Sequence, residues 1–265
     1  MRRFSIRRIP GFATLAIFTF FALYAPVIIL VTYSFNKGKS LAIWEGFSLK
    51  WYEAAWANEA VQDAAVRSLI LATSAATIAT IAATMAALGT TRTRGFRGQT
   101  AIYTLINQPL MVPEIVTAVA LLIFFAMIKV ATGYTGLAYL IIAHTAFCVP
   151  FAYLPIRARL ESMDLSLERA AADLYAPPWQ TFRRVTLPLM WPGIMAGFML
   201  AFVISLDDVV ITEFVKSAGQ ETLPTYMLGQ LRRVVTPEVN AISSALLAVS
   251  IVFVTVFFLL TRVRR

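Results

Sequence analysis

Four carboxylates lie in or beside long apolar runs: Glu114, the pair Asp207 and Asp208, and Glu213. At bilayer depth an acidic side chain costs about 2.5–3.5 kcal/mol on insertion scales, so it normally faces a partner group or a water-filled path. Acids spaced along a wet cavity would replace the hydration of a cation. At an effective dielectric of about 20, one contact ion pair at ~4 Å is worth about 4 kcal/mol. That offsets the burial of one acid without trapping the solute. The structural alternative is that Asp207 or Asp208 caps a broken helix or pairs with Arg67, with Glu213 at the headgroups. Pro109 and Pro113 lie close to Glu114 and interrupt helical bonding; irregular backbone is tolerated at depth where it lines a cavity or is buried in protein.

Other chemistry finds less support. His144 stands in an apolar run, where packing or a helix–helix hydrogen bond is its expected role. Cys148 is the single cysteine, so no internal disulfide exists and it reads as a small packing residue. Gly193 and Gly197 are spaced for close helix approach. Phe124, Trp191 and Tyr226 are able to stack on ammonium groups, with membrane packing as the default. No His/Cys cluster has metal-ligand spacing, no nucleophile–base constellation stands out, and no G-x-x-x-x-G-K-[ST] phosphate loop is present. No catalytic residue, metal or cofactor is expected, and the chain cannot hydrolyse ATP by itself.

The elements that must position these residues follow from composition. The 265 residues are 59% hydrophobic and 14% charged, with a mean hydropathy of +0.73; soluble domains run near 45–50% and 25%. A spanning helix needs about 20 apolar residues, and six segments qualify: 12–33, 64–88, 101–128, 136–154, 189–215 and 241–260. The expected fold is all-α and integral to the membrane, a single domain over 1–265. The first segment is too long for a signal peptide core and is read as a retained helix. The third and fifth are long and carry acids or prolines, so breaks or tilt are expected there. At about 1.5 Å per residue, Glu114 lies ~20 Å along its span and Asp207 ~27 Å along its own, both in the outer part of the bilayer, where they can line one vestibule.

The net charge of +9 belongs to loops. Arg2, Arg3, Arg7, Arg8, Arg92, Arg94, Arg97, Arg157, Arg159, Arg169, Arg183, Arg184, Arg262, Arg264 and Arg265 flank one side, the more basic one. The positive-inside rule makes that side cytoplasmic and puts both termini there. Nucleic-acid binding is not indicated, because no basic run carries a reading element. The opposite loop, 36–63, holds Trp44, Trp51, Tyr52 and Trp56, which suit an aromatic belt in contact with lipid, with a short interfacial helix near 51–58.

The internal loop over about 157–188 is patterned. Asp164 or Ser166 can cap a helix, with Glu168 in its first turn. Ala170, Ala171 and Ala172 favour helix and leave a surface that another backbone can approach. Pro177 and Pro178 stop this helix and open another. The spacing predicts a short helix, a sharp corner and a second short amphipathic helix, suited either to transmitting force to a partner or to lying on the membrane surface.

This loop resembles the coupling loop of permease subunits of bacterial ABC importers. Arg169-Ala170-Ala171 stands at the family's Glu-Ala-Ala, Tyr175 at its usual glycine, and Val185-Thr-Leu-Pro188 at its apolar-x-Leu-Pro. Glu168 lies one position before the family glutamate, Arg169 reverses a charge, and Tyr175 must turn without glycine's freedom at positive φ. The segments 33–36, 141–150, 205–210, 223–224 and 236–241 are similar to spermidine/putrescine-type permeases. The resemblance implies a six-span, type I importer permease architecture. ATPase contacts would fall at Glu168, Arg169, Ala170, Ala171, Asp173, Leu174 and Tyr175. It also implies a homologous permease partner, two copies of a cytoplasmic ATPase subunit and a periplasmic binding protein for polyamines such as putrescine or spermidine. Glu114, Asp207, Asp208 and Glu213 would then line a polyamine path used by alternating access. The competing readings are the same architecture carrying another small solute and an ion-coupled secondary transporter; a membrane scaffold or enzyme explains neither the acids nor the loop.

Overall fold

Lipid offers no hydrogen-bond partners, so long uncharged segments satisfy their backbone within helices. The computed structural model describes residues 11–40, 43–93, 95–232 and 236–262, and these are helical in order. The helices are α1 (Phe12–Tyr33), α2 (Lys50–Ala57), α3 (Glu59–Thr91), α4 (Gln99–Met111), α5 (Glu114–Thr132), α6 (Ala138–Glu161), α7 (Ser166–Asp173), α8 (Pro178–Thr181), α9 (Leu187–Asp207), α10 (Val210–Val215), α11 (Leu223–Leu231) and α12 (Pro237–Arg262), with a π-turn over Phe182–Thr186 between α8 and α9. Among the described residues six stretches are long and apolar enough to span a membrane: α1, α3, α5, α6, the run Pro178–Asp207, and Pro237–Phe257 of α12. Arg2, Arg3, Arg7, Arg8, Arg94, Arg264 and Arg265 of the charge argument lie outside the described residues.

Several boundaries move. The third segment is two helices, α4 and α5, parted where Val112 and Pro113 are extended. The fourth runs on to Glu161, so Arg157 and Arg159 belong to a helix and not to the loop. The second short loop helix is not separate: α8, the π-turn and α9 run on without a break. Pro178 opens that run at its first position, where a missing N–H costs nothing.

One compact unit comprises residues 1–61 and 227–253. Asn36, fully buried, organises its loop. Its Oδ1 accepts from the N–H groups of Gly38 and Glu45, and its Nδ2 donates to the carbonyls of Ser40 and Ile43. Trp51 Nε1 donates to Asn36 O at 2.9 Å and Tyr52 Oη lies 2.6 Å from Ser34 Oγ. Trp51 and Tyr52 therefore hold this loop together, while Trp44 and Trp56 are exposed. The expected interfacial helix is α2. Asn58 Nδ2 donates to Glu238 Oε1 at 3.1 Å, tying α2's end to α12.

The second unit comprises 62–226 and 254–265, and its centre is the antiparallel pair α6 and α9. Contacts recur every four residues over the first three levels and then again further along: His144 with Ser205, Cys148 with the carbonyl of Ala201, Ala152 with Gly197, and Arg159 with the carbonyl of Leu189. A Cβ on Gly197 would stand 2.7 Å from Ala152 O, and one on Gly193 2.6 Å from Arg159 Cβ. The two glycines thus make the close approach their spacing predicts. Without a hydrophobic drive between helices in lipid, such tight packing and interhelical hydrogen bonds hold the pair. Beside it, Leu71, Ala118, Phe125, Tyr139, Leu140, Ala143, Phe147, Ile211 and Val215 form an apolar core joining α3, α5, α6 and α10.

Candidate functional site

Two spans of the second unit break, and an acid stands at each break. Glu114 opens α5 just past Pro113, and Asp208 follows α9 with extended backbone (φ −65°, ψ 129°) before α10 begins. The breaks meet: the Glu114 carboxyl lies within side-chain hydrogen-bonding reach of Asp208. The depth argument compared Glu114 with Asp207; the residue that Glu114 meets is the next one, Asp208. Among the described residues neither has a lysine or arginine ion-pair partner.

Asp208 is 7% exposed and firmly held. Its Oδ1 accepts from Thr212 N at 2.9 Å and Thr212 Oγ1 at 3.0 Å, and its Oδ2 from Ile211 N at 3.3 Å. The capping role considered for this residue is real, because Ile211 N–H and Thr212 N–H belong to α10's first turn and have no helical acceptor. His144, 1% exposed, completes the network. Its Nδ1 is 2.8 Å from Ser205 Oγ, its Nε2 2.9 Å from Thr212 Oγ1 and 3.4 Å from Asp208 Oδ1. Since Thr212 Oγ1 donates to Asp208, it accepts from Nε2–H; in a neutral imidazole Nδ1 then accepts from Ser205. The expected helix–helix hydrogen bond of His144 is present, on both ring nitrogens.

The other two acids differ. Asp207, the last residue of α9, is exposed beside the pair. Glu213 Oε2 is 2.8 Å from Lys216 Nζ on the neighbouring turn, an ion pair that sets it apart from Glu114 and Asp208. Arg67 donates to the carbonyl of Glu221 at 2.9 Å, so the alternative pairing of Arg67 with Asp207 or Asp208 is not made. Of the aromatic candidates, Phe124 and Trp191 are exposed and Tyr226 is buried.

At the other end of α6 and α9 lies α7. Asp164 Oδ1 accepts from Ser166 N at 2.8 Å and starts the helix. Hydrogen bonds from the Ser166 hydroxyl and then its N–H hold this exposed carboxyl below the usual range. The helix ends in a Schellman motif: Ala176 N–H reaches Ala171 O and Tyr175 N–H reaches Ala172 O. That geometry needs a left-handed residue after the cap, and Tyr175 supplies it with φ 57°, unique among the described non-glycine residues. The glycine expected at this position in the resembling family thus has a structural reason. Arg169, Ala170, Ala172, Asp173, Leu174 and Tyr175 are exposed, the last two at 81% and 97%, and Ala171 is half-buried. Glu168 turns inward instead. Its Oε1 accepts from Arg92 Nε at 3.1 Å and from Thr186 Oγ1 at 3.0 Å. Sequence reasoning missed Arg92 and Thr186 as its partners; the signal, a lone acid in the first turn of a helix between two basic flanks, does not say which base it meets.

Residues 75–263 match the family described as "Binding-protein-dependent transport system inner membrane component". The putrescine transport system permease protein PotI of Escherichia coli (strain K12) is 37% identical, across 100% of this chain and 96% of its own. The spermidine/putrescine transport system permease protein PotC of Haemophilus influenzae is 38% identical across 91% and 92%. Among solved structures, a bacterial ABC transporter involved in import of the acidic polysaccharide alginate aligns with a TM-score of 0.72 at 16% identity, covering 94% of this chain and 93% of that one. The MetNI methionine ABC transporter aligns at 0.60 and 16%, covering 80% and 95%. At such identities these two establish the fold alone.

Proposed function

The chain belongs to the family of binding-protein-dependent transport system inner membrane components, and from that premise we propose that it is a permease subunit that takes up polyamines such as putrescine and spermidine. It is a multi-pass protein of the inner membrane and not an enzyme; ATP hydrolysis belongs to a separate ATPase subunit, and a substrate-binding protein delivers the solute.

The observation that carries the polyamine reading is the meeting of Glu114 and Asp208 at paired helix breaks without a lysine or arginine ion-pair partner among the described residues, His144 being the one basic side chain beside Asp208. Two adjacent carboxylates repel one another, and a cation between them removes that cost. A polyamine brings several ammonium groups on an apolar chain, so successive amines can occupy the pair and the exposed Asp207 as the solute advances. Glu213, already held by Lys216, would enter the path only by exchanging that ammonium for one of the solute's. The full-length similarity to putrescine and spermidine/putrescine permeases supports the same substrate class.

The assembly would contain a homologous permease as heterodimer partner, two ATPase copies and a periplasmic polyamine-binding protein. Residues 1–265 would act as one permease domain with both termini cytoplasmic, in keeping with the basic loops on the α7 side. The exposed Arg169, Ala170, Asp173, Leu174 and Tyr175, with the half-buried Ala171 among them, would dock the ATPase, with Glu168 behind them. Reconstitution with these partners tests the reading. Polyamine with the binding protein is expected to stimulate ATP hydrolysis; stimulation by another solute alone, or uptake by this chain driven by an ion gradient, would overturn it.

A further inference from the structure

We infer that Glu168 is a positioning residue whose single carboxylate oxygen links the loop helix α7 to the ends of two spans, so that movement of α7 reaches the break at Asp208. The inference rests on the reading that α7 docks the ATPase.

One oxygen, Glu168 Oε1, receives both donors. Arg92 follows the last turn of α3, where its N–H still bonds to Leu88 O, so its guanidinium sits at that helix's negative end. Thr186 is the final residue of the π-turn that leads into α9, and is 5% exposed. The Arg92 and Glu168 side chains are only 18% and 20% exposed, which limits solvent screening of the pair. The docking surface and the link separate within one short segment: Arg169 on α7 and Leu174 and Tyr175 just after it are exposed, while Glu168 is half-buried against Arg92 and Thr186.

The consequences are directional. α9 rises from Leu187, the residue after Thr186, to Asp207 as one helix packed tightly on α6. α9 contains Pro192, which removes one internal hydrogen bond, but its seam with α6 runs past that point, so a pull on Thr186 would be carried along α9 to Asp208 and its meeting with Glu114. Thr186 closes a π-turn, a rare geometry that occurs mostly at functional sites. Arg92 Nη2 is buried without a hydrogen-bond partner, leaving the guanidinium a second donor for an altered Glu168 geometry.

The test uses the assembled importer in lipid nanodiscs, with Cys148→Ala removing the native thiol and Val209→Cys reporting at the break. The measurement is the change in maleimide labelling rate at position 209 on trapping with ATP and vanadate. Glu168→Arg and Arg92→Glu are each expected to shrink that response about fivefold, and the combined reversal to restore most of it. Thr186→Val should reduce it and Thr186→Ser should not, which keeps the test open if a charge reversal prevents assembly. Unchanged responses in the single variants, or a combined variant no better than either, would overturn the inference. Labelling needs no substrate, so the polyamine reading is judged separately by ATP hydrolysis in the unlabelled importer.

Discussion

His144 Nδ1 lies 2.8 Å from Ser205 Oγ, and this contact joins α6 to α9 one turn below the point where α9 breaks. The same imidazole reaches Thr212 beyond the break, so one side chain on an unbroken helix bridges both halves of an interrupted one. Interhelical hydrogen bonds in membrane proteins average about 0.6 kcal/mol. His144→Ala should therefore lower stability by roughly 1–2 kcal/mol, counting both bonds and the residual cavity. Thermal unfolding in detergent checks this, and a drop no larger than that of an exposed substitution would contradict it.

Gly197 is the tightest point of the same seam. An alanine there would press its Cβ on the Ala152 carbonyl, which is backbone and cannot rotate away. Overpacking of this kind costs about 1–3 kcal/mol. Gly197→Ala should lower the melting temperature, while Gly229→Ala, with open space around it, should not.

The acids are expected to separate by role. Asp208 accepts three hydrogen bonds within its own break, so Asp208→Ala should reduce both membrane abundance and uptake. Glu114 is half-buried and has no such duty among the described hydrogen bonds. Glu114→Gln should keep abundance near wild type and lower polyamine uptake about tenfold or more, the equivalent of about 1.4 kcal/mol. Quantitative immunoblotting beside radiolabelled uptake distinguishes the two; parallel losses in Glu114→Gln would make it structural as well.

Tyr175 sits at φ 57°, where a side chain with a Cβ is strained by roughly 1–2 kcal/mol. Tyr175→Gly relieves that strain, and the 97% exposed ring forfeits nothing within the chain. Hydrogen exchange over 166–176 should slow or stay level in Tyr175→Gly and quicken in Tyr175→Val, because a β-branched residue tolerates this region least. Weaker ATPase binding by Tyr175→Gly despite a firmer α7 would assign the ring to docking.

Asp164 provides a pH signature outside the membrane. Its carboxyl ionises more readily when bonded to Ser166 than in an unfolded chain, where the value is about 3.9. Its contribution is thus complete above that value and is lost as pH falls through the lower folded one. Exchange at the start of α7 should quicken below about pH 4 in the wild type, and be quick at every pH in Asp164→Ala.

The sequence alone determined that six apolar stretches would be helices in lipid, that the third and fifth would break or tilt, and that α7 would form. These follow from composition, span length and local backbone preference, which act over a few residues. Only the tertiary structure decided that Glu114 and Asp208 face one another, that His144 bridges a break, that Trp51 and Asn36 fold a loop and that Glu168 turns inward to Arg92 and Thr186. Residues 76 and 61 positions apart meet because of how helices pack. Helical periodicity says which face a side chain occupies but not which helix, at which height, lies against it.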